Sequence, residues 1–308
     1  MQAILGAGGV IARELAKNLP QYTDRIRLVS RSPQKVNPSD EVFSADLTDA
    51  RQTLAAVAGA EVVYLTVGLP YQLKVWQDSW PKVMQNVITA CEAHGAKLVF
   101  FDNVYPYGAA TNHMTEATPF NPCSKKGEVR AKVALQLLDA MATGRIQGLI
   151  ARSADFYGPA TPASMLQFLV FDKLNQGKAP QWMIRTDFPH SFTYTPDAGK
   201  FTAFLGNTPW AYGQSWHLPT DQSLWTPADF IGEIQKAYGS TKKTMILGKG
   251  MMRFLSLFLP ILRETLEMQY QNSQVYVFDS TKFEQAFQSK ATSYSQGLVS
   301  SLAYYLPQ

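Results

Sequence analysis

The run Gly6-Ala7-Gly8-Gly9-Val10-Ile11-Ala12 sits between the apolar pair Ile4-Leu5 and the helix-like Arg13-Glu14-Leu15-Ala16. No other stretch constrains the fold of this chain as strongly. An apolar strand, a glycine turn and a helix start, in that order, form the phosphate-gripping element of a dinucleotide-binding sheet. Gly6 turns the chain sharply, Gly9 lets backbone N–H groups approach a pyrophosphate, and Ala12 lets the new helix pack closely on the strand. The helix start then presents N–H donors and the positive end of its dipole to the phosphates. Cofactor contacts are expected at Gly6, Gly8, Gly9, Val10, Ile11 and Ala12.

The first half of the chain continues the same theme. Strand-length apolar runs at Arg25 to Ser30, Glu41 to Ala45, Glu61 to Thr66, Lys97 to Phe101 and Gly148 to Ser153 alternate with helix-length segments. The helices are read at Asp49 to Ala58, Lys74 to His94 and Ser124 to Thr143, and the long middle one carries Trp76, Trp80, Met84, Val87, Ile88 and Cys91 as a packing stripe. This alternation predicts an α/β fold, a Rossmann-type doubly wound parallel sheet with helices on both faces. After Ala154 the regularity breaks, and Pro, Gly and aromatic residues separate shorter elements. Residues 1–154 are read as the dinucleotide-binding domain and residues 155–308 as a smaller substrate-binding part, interleaved with the sheet. Within it, a helix is expected from Thr226 to Tyr238, small strands at Thr244 to Leu247 and Val275 to Phe278, and a closing helix from Thr292 to Tyr305.

Composition narrows the class of partner. An apolar content of 46% over 308 residues is enough for a large buried core. The formal charge of +4 is spread along the chain, so nucleic acid is not an expected partner. Cys91 and Cys123 form no C-x-x-C pair and are read as free thiols in a reducing compartment. Met1 runs directly into the first strand, and the most apolar later stretch, Met251 to Leu262, is too short to span a bilayer. A soluble, cytoplasmic protein without a membrane partner is expected. His94, His113, His190 and His217 are scattered without ligand spacing, so no metal site is expected.

Five landmarks in order carry a resemblance. They are Gly6-x-x-Gly9-x-x-Ala12, Asp46-Leu47, the segment Phe100 to Gly108 ending Val104-Tyr105-Pro106-Tyr107-Gly108, the segment Arg152 to Pro159 ending Tyr157-Gly158-Pro159, and, more loosely, Phe188 to Asp197 around His190. Together they resemble the extended, NAD(P)-dependent epimerase/dehydratase-like branch of the short-chain dehydrogenase/reductase superfamily. The resemblance implies that Asp46 and Leu47 hold the adenine, that Thr66, Val67, Gly68 and Asp102 line the cofactor at strand ends, and that Lys126 bonds the nicotinamide ribose. It also implies a homodimer through the two long helices. The second strand ends Leu28-Val29-Ser30-Arg31 with no acid in reach. Because Arg there accommodates a 2′-phosphate where Asp or Glu would hold a 2′-hydroxyl, NADP(H) is expected as the preferred cofactor, with NAD(H) as the alternative.

The chain departs from that family at its reaction centre. The family uses a Tyr-x-x-x-Lys pair and a Ser or Thr at the end of the fifth strand, the lysine favouring loss of the tyrosine proton. Aligned on the strand end, the Ser/Thr position is Asn103; aligned on the helix, the lysine is Lys126 and the tyrosine is Pro122. Tyr238 and Lys242 have the right spacing only by coincidence, at the end of a late helix. The catalytic candidates are Lys126, Asn103, Tyr105 and Tyr107, with Asp102 and Cys123 as further proton-donor options. A small-molecule substrate is expected in loops such as Val67 to Tyr71, Asp155 to Tyr157 and Trp182 to Tyr194, where Arg185 and His190 could meet an anion. Two functions compete: an epimerase/dehydratase-like oxidoreductase acting on a small carbonyl, hydroxyl or sugar-like substrate with an altered proton-transfer site, and a non-catalytic NADP(H)-binding sensor.

Overall fold

The computed structural model describes residues 1–109 and 113–306. Seven strands build its main sheet: β1 (Gln2–Leu5), β2 (Ile26–Ser30), β3 (Glu41–Ser44), β4 (Val62–Leu65), β5 (Lys97–Asp102), β6 (Gly148–Arg152) and β7 (Ser215–His217). They lie in the order β7-β6-β5-β4-β1-β2-β3, and every neighbouring pair is parallel. The doubly wound α/β sheet expected from the alternation is therefore the fold. β1, β4 and β6 are buried along their whole length, as continuous apolar strands covered on both faces must be.

Helices α1 (Val10–Asn18), α2 (Ala50–Val57), α3 (Leu73–His94) and α4 (Lys125–Ala142) supply the crossovers. The chain steps one way from β1 to β3 and the opposite way from β4 to β6. Right-handed connections then put α1 on one face and α2, α3 and α4 on the other. The reversal of direction falls between β1 and β4, the switch point at which open α/β sheets bind ligands.

The chain divides into two compact units. The first comprises residues 1–106, 125–153 and 196–218; the second comprises 107–124, 154–195 and 219–308. The chain leaves the first unit after residue 153 and returns to it at residue 196. There α5 (Thr195–Gly206) leads into β7, which pairs with β6. Gly199 seats α5 on α1: a Cβ there would lie 2.4 Å from the Glu14 carbonyl carbon, so only a glycine allows the approach. At its end, Asn207 donates 3.1 Å to the Tyr64 hydroxyl, which itself donates 2.8 Å to the Gln2 side-chain oxygen.

The second unit is built from short pieces around an aromatic core that includes Tyr157, Trp182, Phe192, Phe230 and Tyr294. Asp155–Tyr157 pairs with Phe192–Tyr194, Gln181–Met183 with Met245–Leu247, and His113–Met114 with Val277–Phe278. The helix Pro227–Ala237 starts with a full capping box between Thr226 and Asp229. The closing helix runs Tyr294–Tyr305, capped by Ser293. Residues Met251 to Leu262 form no single element. They belong to two short helices, Lys249–Leu255 and Pro260–Thr265, and the turn between them.

Candidate cofactor and proton-transfer site

The glycine turn leaves β1 with Gly6 at φ +102°, a conformation L-residues rarely adopt. Its close neighbour is the start of the loop after β4, because an added Cβ would lie 2.5 Å from the Cα of Val67 and 2.9 Å from the carbonyl carbon of Thr66. Thr66 fixes that loop by donating its backbone N–H to Leu5 at 2.8 Å. Gly6 and Ala7 donate to the Val29 carbonyl at 2.8 and 3.0 Å, tying the turn to β2.

Gly8 and Gly9 are exposed, and a Cβ on either would meet nothing within 4 Å. Gly9 is the N-cap of α1 and provides no side chain to cap it, while Ile11 and Ala12 face the interior. The first turn of α1 contains no acid but does contain Arg13, a cation at the positive end of the helix dipole. An uncapped helix start, open space over two glycines and a basic side chain form a cradle whose chemistry fits a pyrophosphate. Arg13 is a residue the glycine pattern did not single out.

Arg31 is exposed just beyond β2, and Asp46 is exposed beyond β3. Asp46 accepts from the Thr48 backbone N–H at 2.9 Å and from its hydroxyl at 2.8 Å. Those bonds, aided by the nearby charge of Arg31, hold the Asp46 carboxyl below the usual carboxylate range. Leu47 is buried, and its carbonyl accepts from Asn86 of α3 at 3.0 Å. Gly68 is exposed next to half-buried Val67.

Beyond β5 the expected candidates separate. Asp102 is buried against two guanidiniums: its Oδ1 accepts from Nε and Nη2 of Arg130, and its Oδ2 lies 3.3 Å from Nη2 of Arg152. Arg130 in turn covers the rings of Trp80 and Phe100 at 4.2 and 4.9 Å. This knot ties β5 to α4 and β6, so the Asp102 carboxylate is an anchor and offers no face to a cofactor or to a proton transfer. Asn103 accepts from the Tyr105 N–H at 3.0 Å and shapes the short turn Tyr105–Tyr107. Tyr107 falls in the second unit and is buried, its ring 6.0 Å from Phe120. It is a packing residue. Cys123 is exposed, and burial, partly offset by hydrogen bonding, raises its thiol above the ordinary range.

Lys126 and Lys125 part company in the structure, for Lys125 is exposed whereas Lys126 is 1% exposed. The Lys126 ammonium lies 4.8 Å over the ring of Tyr71. The Tyr71 hydroxyl is 3.3 Å from that of Tyr105. Trp76 braces both, edge-on to Tyr71 at 5.4 Å and stacked on Tyr105 at 6.2 Å, and its indole N–H donates to the Pro70 carbonyl at 3.0 Å. Lys126 thus faces Tyr71, and Tyr71 meets Tyr105, while Pro122 is the residue that the sequence alignment set at the family's tyrosine position. Sequence spacing had no means of pairing Tyr71 with Lys126; the only signal was that Tyr71 lies in a loop after a strand end.

Other candidates are committed elsewhere. Tyr238 donates to Asn175 at 2.8 Å and Lys242 to the Gly177 carbonyl, so their spacing carries no chemistry. Arg185 pairs with Asp187 and lies 3.6 Å over Phe188. His190 is buried, 2.8 Å from Asp155 and stacked on Tyr276 at 4.2 Å. Among the described residues, no three His, Cys, Asp or Glu side chains gather as a metal would require.

Comparison with known proteins gives a family and a fold. A family model described as NAD dependent epimerase/dehydratase family matches residues 3–202. No curated protein sequence matches the chain. Among solved structures, UDP-glucuronic acid 4-epimerase from Bacillus cereus, in complex with NAD, aligns with a TM-score of 0.79 at 18% identity, over 99% of this chain and 98% of that one. A dTDP-glucose 4,6-dehydratase from Streptomyces venezuelae with NAD and TYD bound gives 0.78 at 15% identity, over 99% and 97%. UDP-glucose 4-epimerase from Thermus thermophilus, also with NAD, gives 0.77 at 13% identity, over 99% of each chain. At such identities the likeness is one of fold.

Proposed function

The chain belongs to the NAD dependent epimerase/dehydratase family, and from that premise we propose that it is a nicotinamide-dependent oxidoreductase whose proton-transfer group is Tyr71, supported by Lys126 and Tyr105. Its substrate is a small or sugar-like molecule bearing a hydroxyl or carbonyl carbon. The observation that carries the reading is the buried Lys126 ammonium 4.8 Å over the Tyr71 ring. The ring face attracts the ammonium, and that contact fixes Lys126 beside the Tyr71 phenol.

Gly6, Gly8, Gly9 and the start of α1 hold the pyrophosphate, Arg13 adds positive charge beside it, and Asp46 with Leu47 borders the adenine. Arg31 meets a ribose 2′-phosphate, giving a preference for NADP(H) over NAD(H). A bound nicotinamide supplies the hydride acceptor or donor. The protein supplies the proton's path: Tyr71 as the phenolate takes the proton of a substrate hydroxyl, and in the reverse direction Tyr71 as the phenol returns it to a carbonyl oxygen. Tyr105, 3.3 Å away, shares a hydrogen bond with that oxygen and steadies the charge it carries. Asn103 positions Tyr105 rather than touching the substrate.

Two measurements test this reading. Calorimetric titration should show NADP(H) binding more tightly than NAD(H), and Arg31→Ser should remove the difference; no heat with either cofactor overturns the whole reading. A cofactor-fluorescence screen of nucleotide sugars and simple carbonyl compounds should then find turnover. Tyr71→Phe should lower kcat by about 10²-fold or more with cofactor affinity retained, whereas Lys126→Met should lower both. A Tyr71→Phe protein that turns over normally overturns the assignment of the proton to Tyr71.

A further inference from the structure

The second unit carries a surface that its own fold does not use. Leu257 and Phe258 are 75% and 69% exposed, and Phe254, Leu259 and Ile261 beside them are exposed as well. They occupy the helix Lys249–Leu255, the following turn and the start of the helix Pro260–Thr265, and the Phe254 and Phe258 rings pack edge to face at 5.6 Å. Beneath them only Met252 and Ser256 are buried, so the segment is held by a narrow base and turns its large side chains outward. Scattered exposed apolar residues are ordinary, but a contiguous set of two phenylalanines and three aliphatic residues marks an interaction surface.

Charge says what kind of surface covers it. From Ser240 to Thr265, the end of that second helix, the chain has Lys242, Lys243, Lys249, Arg253 and Arg263 against a single acid, the half-buried Glu264. All five cations are exposed. A second copy of the chain docked symmetrically on the same patch would bring these like charges together, with one acid per copy to answer five cations. An anionic lipid surface answers them all, while its acyl region takes up the apolar tip. We propose that this segment seats the protein on an anionic membrane surface, with Phe254, Leu257, Phe258 and Ile261 entering the interface and the lysines and arginines meeting lipid phosphates.

The backbone at the tip suits that environment. Leu257 and Phe258 donate to the carbonyls of Phe254 and Leu255, Leu259 donates to Leu255, and Leu262 and Arg263 donate to Leu259. Pro260, at the start of the second helix, has no N–H to satisfy. The turn therefore enters a medium poor in hydrogen-bond partners with these donors already used. Among the described residues no helix is long and apolar enough to cross a membrane, so the segment lies on the bilayer rather than through it. The expectation of no membrane partner rested on Met1 running into the first strand and on Met251 to Leu262 being too short and interrupted by Arg253 and Pro260, grounds that concern a span and leave surface binding open. This proposal does not depend on the cofactor reading.

Co-sedimentation of the full chain with vesicles tests it, using phosphatidylcholine alone and phosphatidylcholine mixed with phosphatidylglycerol. The protein should pellet with the anionic vesicles, weakly or not at all with the neutral ones, and should be released by high salt. Neutralising Lys249 and Arg253 with glutamine should weaken binding about 25-fold, at roughly fivefold per cation. The triple change Phe254→Ser, Leu257→Ser and Phe258→Ser should weaken it more than about 100-fold, with an unchanged melting midpoint as the control for folding. Equal partitioning into both vesicle types, or none into either, overturns the proposal. So does a dimer in sedimentation equilibrium that the triple variant dissociates without any vesicle binding by the parent, which would assign the patch to a second copy.

Discussion

Alanine at Gly6 and alanine at Gly8 should damage the protein in different ways. At Gly6 the backbone has φ +102°, and the new Cβ would sit 2.5 Å from both the Cα and the N of Val67. A left-handed conformation costs an L-residue about 1–2 kcal/mol. The overlap adds roughly 1–3 kcal/mol, since β1 and β4 are hydrogen-bonded and cannot part freely. The total, about 2–5 kcal/mol, is a large share of a stability of roughly 5–15 kcal/mol. With an unfolding entropy near ~2.1 cal/mol/K per residue over 308 residues, the melting midpoint should fall by roughly 3–8 °C. At Gly8 nothing lies within 4 Å of an added Cβ. Alanine there should leave the midpoint of the cofactor-free protein unchanged, or raise stability by up to about 1 kcal/mol through lost unfolded-state entropy. Its methyl group would instead occupy the space assigned to the pyrophosphate. Saturating NADP(H) at a hundred times Kd stabilises the parent by about 2.7 kcal/mol, and Gly8→Ala should lose most of that gain. Differential scanning calorimetry of the three proteins, with and without NADP(H), reads both effects. A Gly6→Ala protein that melts with the parent refutes the close approach of the two loops; a Gly8→Ala protein that keeps the full cofactor-induced rise refutes the position given to the pyrophosphate.

Three further outcomes follow from the interior. Asp102→Ala leaves Arg130 and Arg152 buried without their shared carboxylate and should cost about 3–5 kcal/mol, roughly 5–8 °C in midpoint by calorimetry. Burial pushes the Cys91 thiol up to about 12, so a maleimide at pH 8 should label one thiol per native chain, at exposed Cys123, and two in denaturant, as mass spectrometry would count. Burial also raises the phenols of Tyr64, Tyr212 and Tyr305, the last to about 12. Because these acids hold their protons in the folded state to higher pH than in the unfolded state, their stabilising contribution is complete below about pH 9. It should be lost as pH rises from about 9 to 12, visible as a steadily falling urea midpoint.

Much of the nucleotide-binding unit was legible because local pattern and fold agree there. The strand–turn–helix at Gly6 to Ala12 is written in consecutive residues, and β1, β2, β4, β5 and β6 are apolar runs of strand length. β7 and α5 escaped because β7 is only the three residues Ser215–His217, too short for periodicity, and because their place is set by contacts with distant residues such as Glu14 and Tyr64. The proposed proton-transfer site divides in the same way. Asn103, Tyr105 and Lys126 could be found by aligning landmarks, whereas Tyr71 meets Lys126 only through the packing of a loop on a helix. The same holds for Arg130, which the sequence presents as an unremarkable basic residue, and for Arg152, singled out only as the start of a landmark segment; the fold gathers both around Asp102. The Met251 to Leu262 stretch was noticed for its hydropathy. Which way its side chains face became visible only once Met252 and Ser256 were seen to be the buried ones.

The alternation of the chain between its two units limits how the molecule can be taken apart. It changes unit after residues 106, 124, 153, 195 and 218, so no single cut yields either unit whole. A fragment ending at residue 154 would keep the glycine turn but lose α5 and β7, leaving β6 as a bare sheet edge open to pairing with other chains. Limited proteolysis or gene truncation should therefore produce aggregating pieces rather than an isolated first unit.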